Sequence, residues 1–313
     1  GHADLVIDFN TENAGLWKGG IFTAHLLNTH GATPSAENVG DLQVFSNIEA
    51  GSHTGIFELY FTQTINNLIL KAGWNNLNAD FYWTNFGGLF LNSSFGISPA
   101  ASLNVPLSIF PVTSPFVSVG FNVDKKSLVQ FASYAGNPGD IETNKYNLKW
   151  DLSSENGLMN ILEYQYINEA KGYFGFKTGG YIHTSDVKCI SDSSITCKNC
   201  YGLYAIIDKN LVHPKEENSK GLDAFLQFDF APADRCMINY YVGAGLSYRG
   251  FFNSEKVSDE IGIAVAHMGI SKNYQKTDNN IKKHETAVEL TYQIGFFDHL
   301  FIQNEESASL LES

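Results

Sequence analysis

In the stretch ETAVELTYQI, Val288, Leu290, Tyr292 and Ile294 fall on one side of an extended chain, and Glu285, Ala287, Glu289, Thr291 and Gln293 fall on the other. Successive side chains of a strand point to opposite faces, so this order makes one apolar face and one wet one. The split recurs in IFELYFT, with Phe57, Leu59 and Phe61 against Glu58, Tyr60 and Thr62, and in AFLQFDF, with Leu226, Phe228 and Phe230 against Gln227 and Asp229. MINYYVGAGLSYRG repeats it with Ile238, Tyr240, Val242, Ala244, Leu246 and Tyr248 on one side and Asn239, Tyr241, Gly243, Gly245, Ser247 and Arg249 on the other. YNLKWD does so with Tyr146, Leu148 and Trp150 against Asn147, Lys149 and Asp151.

Segments of this kind run over Leu5–Thr11, Gly20–Thr29, Thr54–Ile65, Asn67–Leu77, Phe116–Val123, Leu128–Gly136, Lys145–Leu152 and Met159–Ile167. They continue over Tyr173–His183, Tyr201–Leu211, Leu222–Phe230, Met237–Gly250, Ile261–Ser271 and Glu285–Phe296, about 14 strands in all, with a further short one at Leu300–Gln303. Two architectures use such strands: a sandwich with its apolar core between two sheets, or a closed barrel with lipid outside and water inside. Tyrosines and tryptophans near strand ends (Tyr146, Trp150, Tyr166, Tyr248) fit the interfacial girdles of a membrane barrel, and strands of about ten residues have the length a tilted membrane strand requires. The composition agrees, because 17% charged and 13% aromatic residues suit a surface that meets lipid. No apolar run approaches the ~18 to 20 residues of a spanning helix. The reading is therefore an all-β transmembrane antiparallel barrel forming one domain over residues 1–313.

Connections differ in length. SSENG after Leu152 and APADR after Phe230 read as tight turns at one rim, whereas HPKEENSKG and Asn253–Glu260 read as longer loops at the other. Strand counting puts Asp186–Cys200 at the rim of APADR, near Cys236, and predicts one disulfide within that loop and one joining it to Cys236. The four cysteines, Cys189, Cys197, Cys200 and Cys236, include a CxxC that could serve zinc, but His183 sits in an apolar stretch as a wall residue and a fourth ligand is not evident, so no metal is expected. The first residues show no charged stretch followed by an apolar one, so no leader is readable and the chain reads as a mature form.

Residues 75–114 break the alternation over some forty positions. The segment holds Phe, Leu, Tyr and Trp with the single charge Asp80, so it should pack against something rather than stay solvated. Its amides and hydroxyls (Asn75, Asn76, Asn78, Asn85, Asn92, Ser93, Ser94) and rings (Phe81, Tyr82, Trp83, Phe86) match the hydroxyl edge and C–H face of a sugar, or else make a rigid plug.

Chemistry is otherwise sparse. GxSxG, HExxH, GxxxxGK[ST] and a post-strand GxGxxG are missing, and the nine histidines are scattered. Glu49, Glu58, Glu163, Asp229 and Glu289 lie on wet faces and read as solvated wall residues, although paired carboxylates keep a hydrolase in view. A formal charge of −13 with only Arg235 and Arg249 as arginines excludes a nucleic-acid partner. No cofactor is implied.

At these residues the chain resembles the carbohydrate-selective porin (OprB) family of Gram-negative outer membranes. The resemblance runs through GDLQVFSNIEA (40–50), FELYF, LKAGWNNLNADFY (70–82), LFLNSSFGI (89–97), SIFPVTSP (108–115), GNPGD (136–140), YGLYAI (201–206), APADRCMINYYVGAGLSYRG (231–250) and ETAVELTYQ (285–293). It implies about sixteen strands, of which 14 to 15 are traceable here, and inward-folded segments that narrow the lumen to a polar eyelet passing small sugars by diffusion. SASLLES, at 307–313, lacks the final aromatic strand that the family pattern carries. The resemblance places Gln43, Asn47, Glu49, Glu58, Asp80, Trp83, Asn92 and Arg249 along the pore, with Arg249 a counter-charge to Glu49 and Glu58. Gly55, Ile56 and Phe57 precede Glu58 where the family often has an arginine, which predicts a more acidic eyelet. Outer-membrane lipid, small sugars and further copies of the chain are the expected partners. The competing readings are a lipase-like barrel enzyme and a soluble β-sandwich lectin.

Overall fold

The alternation is realised as one antiparallel sheet. The computed structural model describes residues 1–33, 35, 40–142, 144–149, 152–190, 194–213, 220–251, 258–278, 280–297 and 300–312. The strands are β1 (His2–Asn10), β2 (Gly20–Thr29), β3 (His53–Ile65), β4 (Leu68–Asn75), β5 (Ser114–Asn122), β6 (Ser127–Ala135) and β7 (Leu158–Asn168). After them come β8 (Phe174–Lys188), β9 (Thr196–Val212), β10 (Gly221–Phe230), β11 (Ile238–Arg249), β12 (Ser258–Ile270), β13 (His284–Phe297) and β14 (Leu300–Glu312). Each pairs with its sequence neighbours in a 14-stranded up-and-down order, and among the described residues β1 and β14 form the sheet's two edges.

The faces are inverted relative to a water-soluble sheet. Leu226, Phe228 and Phe230 on β10, Ile263 and Val265 on β12 and Leu290 on β13 are exposed, while the alternating Gln227, Asp229, Glu289 and Thr291 are buried. Exposed apolar rows repeat on β1 (Leu5, Ile7, Phe9) and β5 (Val117, Val119, Phe121), a continuous greasy band that lipid, not water, can cover. No described helix is long and apolar enough to cross a membrane.

The segment after β4 does not leave the sheet. It folds as α1 (Leu77–Asp80), two single 3₁₀ turns and α2 (Pro99–Ser102). Asn76 caps α1 through Asn78 N–H, and Pro99 opens α2, where a missing N–H costs nothing. Along its length the segment touches the inner face of strands at both ends of the order: the ring of Phe110 lies 5.6 Å from that of His2 on β1, and the carbonyl of Leu89 accepts from Gln303 Nε2 on β14 at 2.6 Å. A flat sheet of fourteen strands would hold its edges about 60 Å apart. The sheet is therefore rolled around the segment, which makes the wet face a lumen. Its apolar residues fill one side of that lumen, Phe81, Tyr82 and Ile97 packing on Tyr181, Tyr204 and Ile206, and Phe90 and Phe95 on Phe225 and Tyr241. Gly262 permits the approach, since a Cβ there would stand 2.7 Å from Leu89 and Phe90 side-chain carbons.

Four sequence expectations change. Residues 145–149, the described part of the strand expected over Lys145–Leu152, form turns: Asn147 adopts a φ of 56°, and Asn144 Oδ1 accepts Lys149 N–H at 3.0 Å, so asparagine turns override the apparent alternation there. Trp150 lies outside the described residues. Phe57 turns inward because a register shift between His25 and Leu26 leaves it as the extra residue of a bulge. SSENG, the cysteine loop and APADR share one rim as expected, but that rim is not the one of tight turns: connections 30–52, 76–113, 136–157 and 271–283 lie there, and the opposite rim carries turns as short as Asn66-Asn67. Most of the longer loops expected over HPKEENSKG and Asn253–Glu260 lies outside the described residues. At the other end of the chain, β14 runs through 307–312, a stretch expected to lack a strand.

Candidate functional site: the inner face and its inserted segment

A segment without a ladder leaves backbone N–H groups that must find acceptors once water is excluded. The inner-face carboxylates supply them. Glu289 accepts Leu91 N–H and Asn92 N–H, both at 2.9 Å. Four residues earlier on the same strand, Glu285 accepts Leu42 N–H at 3.0 Å and Gln43 N–H at 2.7 Å. The two captured loops also join each other, through Asn92 Nδ2 to Gln43 O at 3.2 Å and Ser93 N–H to Val44 O at 3.0 Å. Across the lumen, Glu163 on β7 accepts Tyr82 N–H at 3.2 Å and Tyr204 Oη–H at 2.6 Å. Asp208 accepts Phe86 N–H at 3.2 Å, and Asp229 accepts from Tyr82 Oη at 3.0 Å and from Ser98. Tyr82 holds a positive φ of 63°, and its ring stacks 3.6 Å from Tyr204, so backbone, hydroxyl and ring all determine its place.

Glu163 and Glu289 are therefore not solvated wall residues, as the wet-face pattern suggested. They are buried, along with Asp229 and Glu58, because the inserted segment covers them. A carboxylate accepting several N–H groups in this setting is a strong anchor.

Among the expected pore residues, Gln43 and Asn92 are buried, and their side-chain amide N–H groups donate to backbone carbonyls, Gln43 Nε2 to Glu285 O and Asn92 Nδ2 to Gln43 O. Glu58 is enclosed by His25 Nδ1 at 2.9 Å, Asn75 Nδ2 at 3.2 Å and Asn76 N–H at 3.0 Å. Glu49 accepts Ser35 N–H at 3.1 Å, and Asn47 is exposed with its N–H on Leu91 O. Asp80 pairs with Lys71 at 2.5 Å, and Trp83 lies under Lys177, whose Nζ also donates to Trp83 O at 2.8 Å. Arg249 pairs with Asp223 at 2.7 Å near the rim away from Glu49, so it is not the counter-charge of Glu49 and Glu58. GDLQVFSNIEA is thus a strap between wall and plug, and only part of its polar complement is wet.

Sequence reasoning did not single out the wall around Arg249. The strand register aligns Arg249 on β11, Glu260 on β12, Gln293 on β13 and Gln303 on β14 in one inward row. With Asp223 and with Asn85, Phe86, Gly88 and Leu89 of the inserted segment, the first three line a polar cleft of about 290 Å³. Alternation alone put Arg249 and Gln293 on wet faces, but the row emerges only from register. Asp4 and Asp8 of β1 are exposed; Asp4 meets His25 Nε2 at 2.7 Å, and Asp8 accepts from Thr23 at 2.6 Å.

Of the cysteines, Cys189 and Cys197 are bonded within their loop, as expected. Cys200 and Cys236 are buried thiols with their sulfurs 2.7 Å apart at the same rim. His183 is a buried wall residue: its Nε2–H donates to Gly136 O at 2.7 Å, and its Nδ1 accepts from Ser185 Oγ–H at 2.8 Å.

A rolled membrane sheet, greasy outside and polar within, narrowed by a segment clamped to its inner wall, defines an outer-membrane porin. The chain belongs to the OprB family of carbohydrate-selective porins, whose family model matches residues 1–305. Among solved structures it is similar to the high pH structure of Pseudomonas putida OprB, with a TM-score of 0.85 at 17% identity over 98% of this chain and 82% of that one. The low pH structure of the same porin matches with a TM-score of 0.54 at 14% identity, over 99% and 84% of the two chains. The outer membrane channel DcaP of Acinetobacter baumannii matches at 0.56 and 10% identity, over 99% and 82%. No curated protein sequence matches the chain.

Proposed function

We propose that small sugars diffuse through the part of the lumen that the inserted segment leaves uncovered, along β14, β1 and the row Arg249, Glu260, Gln293 and Gln303. The observation that carries this reading is the one-sidedness of the filling: the inner face is covered from β5 through Thr291 of β13, while Asp4 and Asp8 stay exposed and Gln293 and Gln303 stay partly so. Selection then follows from the width of that passage and from hydrogen-bonding partners along it. Residues 75–114 act as the constriction of a single barrel domain, and Asn47, Asp80, Trp83 and Arg249 line or flank the route. Transport is passive and involves no covalent step. The apolar band faces the lipid of a Gram-negative outer membrane, with the long-loop rim outward, as the loop asymmetry of such barrels suggests.

The test is conductance in planar bilayers together with liposome swelling. Glucose should enter reconstituted vesicles faster than a large disaccharide. Vesicles that neither conduct nor swell would overturn the reading.

A further inference from the structure

The cleft beside the inserted segment carries more chemistry than a neutral sugar requires. Its wall presents two carboxylates, Asp223 and Glu260, and one guanidinium, Arg249. Arg249 Nη2 donates to Asp223 Oδ2 at 2.7 Å, and Asp223 is almost fully buried. Glu260 stands directly across the strand pair from Arg249. Two acids therefore share one base, and the cleft keeps a net negative charge.

The rest of the inner wall does not reverse that sign. Among the described inward-facing strand residues, Lys71 is matched by Asp80 at 2.5 Å, and Lys177 is buried with Asp208 3.7 Å away. Asp8 adds acid on the exposed inner side of β1, where Asp4 is flanked by His2 at 2.5 Å and His25 at 2.7 Å. Within low-dielectric walls such an excess concentrates cations and repels anions. The remaining groups around the cleft suit a monosaccharide. Asn85 is exposed there, Gln293 donates to Gln303 at 3.1 Å and keeps its own carbonyl for a hydroxyl, and Phe86 offers a ring for a C–H face. At about 290 Å³ the space lies at the small end for ligand sites, room for one sugar ring rather than a chain.

We propose that this cleft is a subsite for protonated amino sugars, with Glu260 holding the ammonium and Asn85, Gln293 and Phe86 the ring, so that the pore passes amino sugars ahead of neutral hexoses and sugar acids last. The proposal rests on the porin reading and deepens it.

The experiment measures uptake of radiolabelled glucosamine, glucose and gluconate into vesicles carrying the protein, at slightly acidic pH where the amine is protonated. Glucosamine should exceed glucose roughly five-fold at low salt, with gluconate slowest. Molar salt, which shortens the Debye length from about 10 Å to about 3 Å, should bring the glucosamine-to-glucose ratio toward one in the unaltered protein. Glu260→Gln should lower the same ratio, and Asp124→Asn, on an exposed turn between β5 and β6, should not. Equal glucosamine and glucose fluxes in the unaltered protein would overturn the proposal while leaving the porin intact. A preference that survives Glu260→Gln would equally remove this cleft as its source. Vesicles impermeable to glucose would instead overturn the porin reading, and the subsite with it.

Discussion

Glu289 and Asn92 are 197 residues apart in sequence, yet the Asn92 N–H donates to the Glu289 carboxylate at 2.9 Å while the neighbouring Leu91 N–H donates to its other oxygen. Glu285 repeats the arrangement on Leu42 and Gln43. Two acids on one strand thus tie two inward-folded segments to the wall. The constriction is a property of these clamps as much as of the segment itself.

Glu289→Ala should release the 89–95 stretch. Loss of two charge-assisted hydrogen bonds should lower stability by about 2 to 4 kcal/mol, read from urea unfolding of the refolded protein. Single-channel conductance should rise and larger sugars should pass. Unchanged conductance with an intact barrel would show that other contacts hold the segment alone.

Glu58→Gln separates anchoring from selectivity. The carboxylate is enclosed by His25, Asn75 and Asn76, so a mobile ion meets little of it. The expected result is a loss of about 1 to 3 kcal/mol of stability with little change in reversal potential across a salt gradient. A large fall in cation preference would place Glu58 on the ion path after all.

Cys200 and Cys236 should be oxidised in the protein isolated from an oxidising compartment. The sulfurs are 2.7 Å apart and both thiols are buried. Forming the bond removes two protons and passes two electrons to a dithiol oxidase or to oxygen. Peptide mapping without reductant should find Cys200 linked to Cys236 beside the Cys189–Cys197 bond. Two alkylatable thiols in the unfolded, unreduced chain would contradict this.

Asp41 provides a pH readout outside the strands. Burial, and then the nearby Glu285 carboxylate, push its carboxyl above the ordinary aspartate value. A folded value above the unfolded one means that the ionised form opposes folding. The penalty is complete above the folded value, shrinks as pH falls through it, and is gone below the unfolded value of about 3.9. Asp41→Asn should therefore raise the melting temperature at neutral pH and leave it unchanged in strong acid. An equal gain at both would point to packing instead.

The sequence by itself determined the class of fold. Side-chain period follows from the extended backbone alone, so the wet and greasy faces of β10, β13 and β11 beyond Tyr240 were legible residue by residue, whereas Ile238, expected on the greasy row, is buried inside next to a register shift; the apolar composition of 75–114 already required that it be buried. Where local chemistry competes, the pattern misled: asparagine turns stand at 145–149 where a strand was expected over Lys145–Leu152, and a bulge turned Phe57 inward. The tertiary structure decided which wet-face groups stay wet. Alternation assigns a side chain to a face, but what covers that face arrives from a distant loop once the sheet rolls, and the loop's unpaired N–H groups choose the nearest acceptors. For that reason Glu58, Glu163 and Glu289 became anchors, while Glu260 and Gln293, undistinguished in sequence, came to line the cleft by strand register.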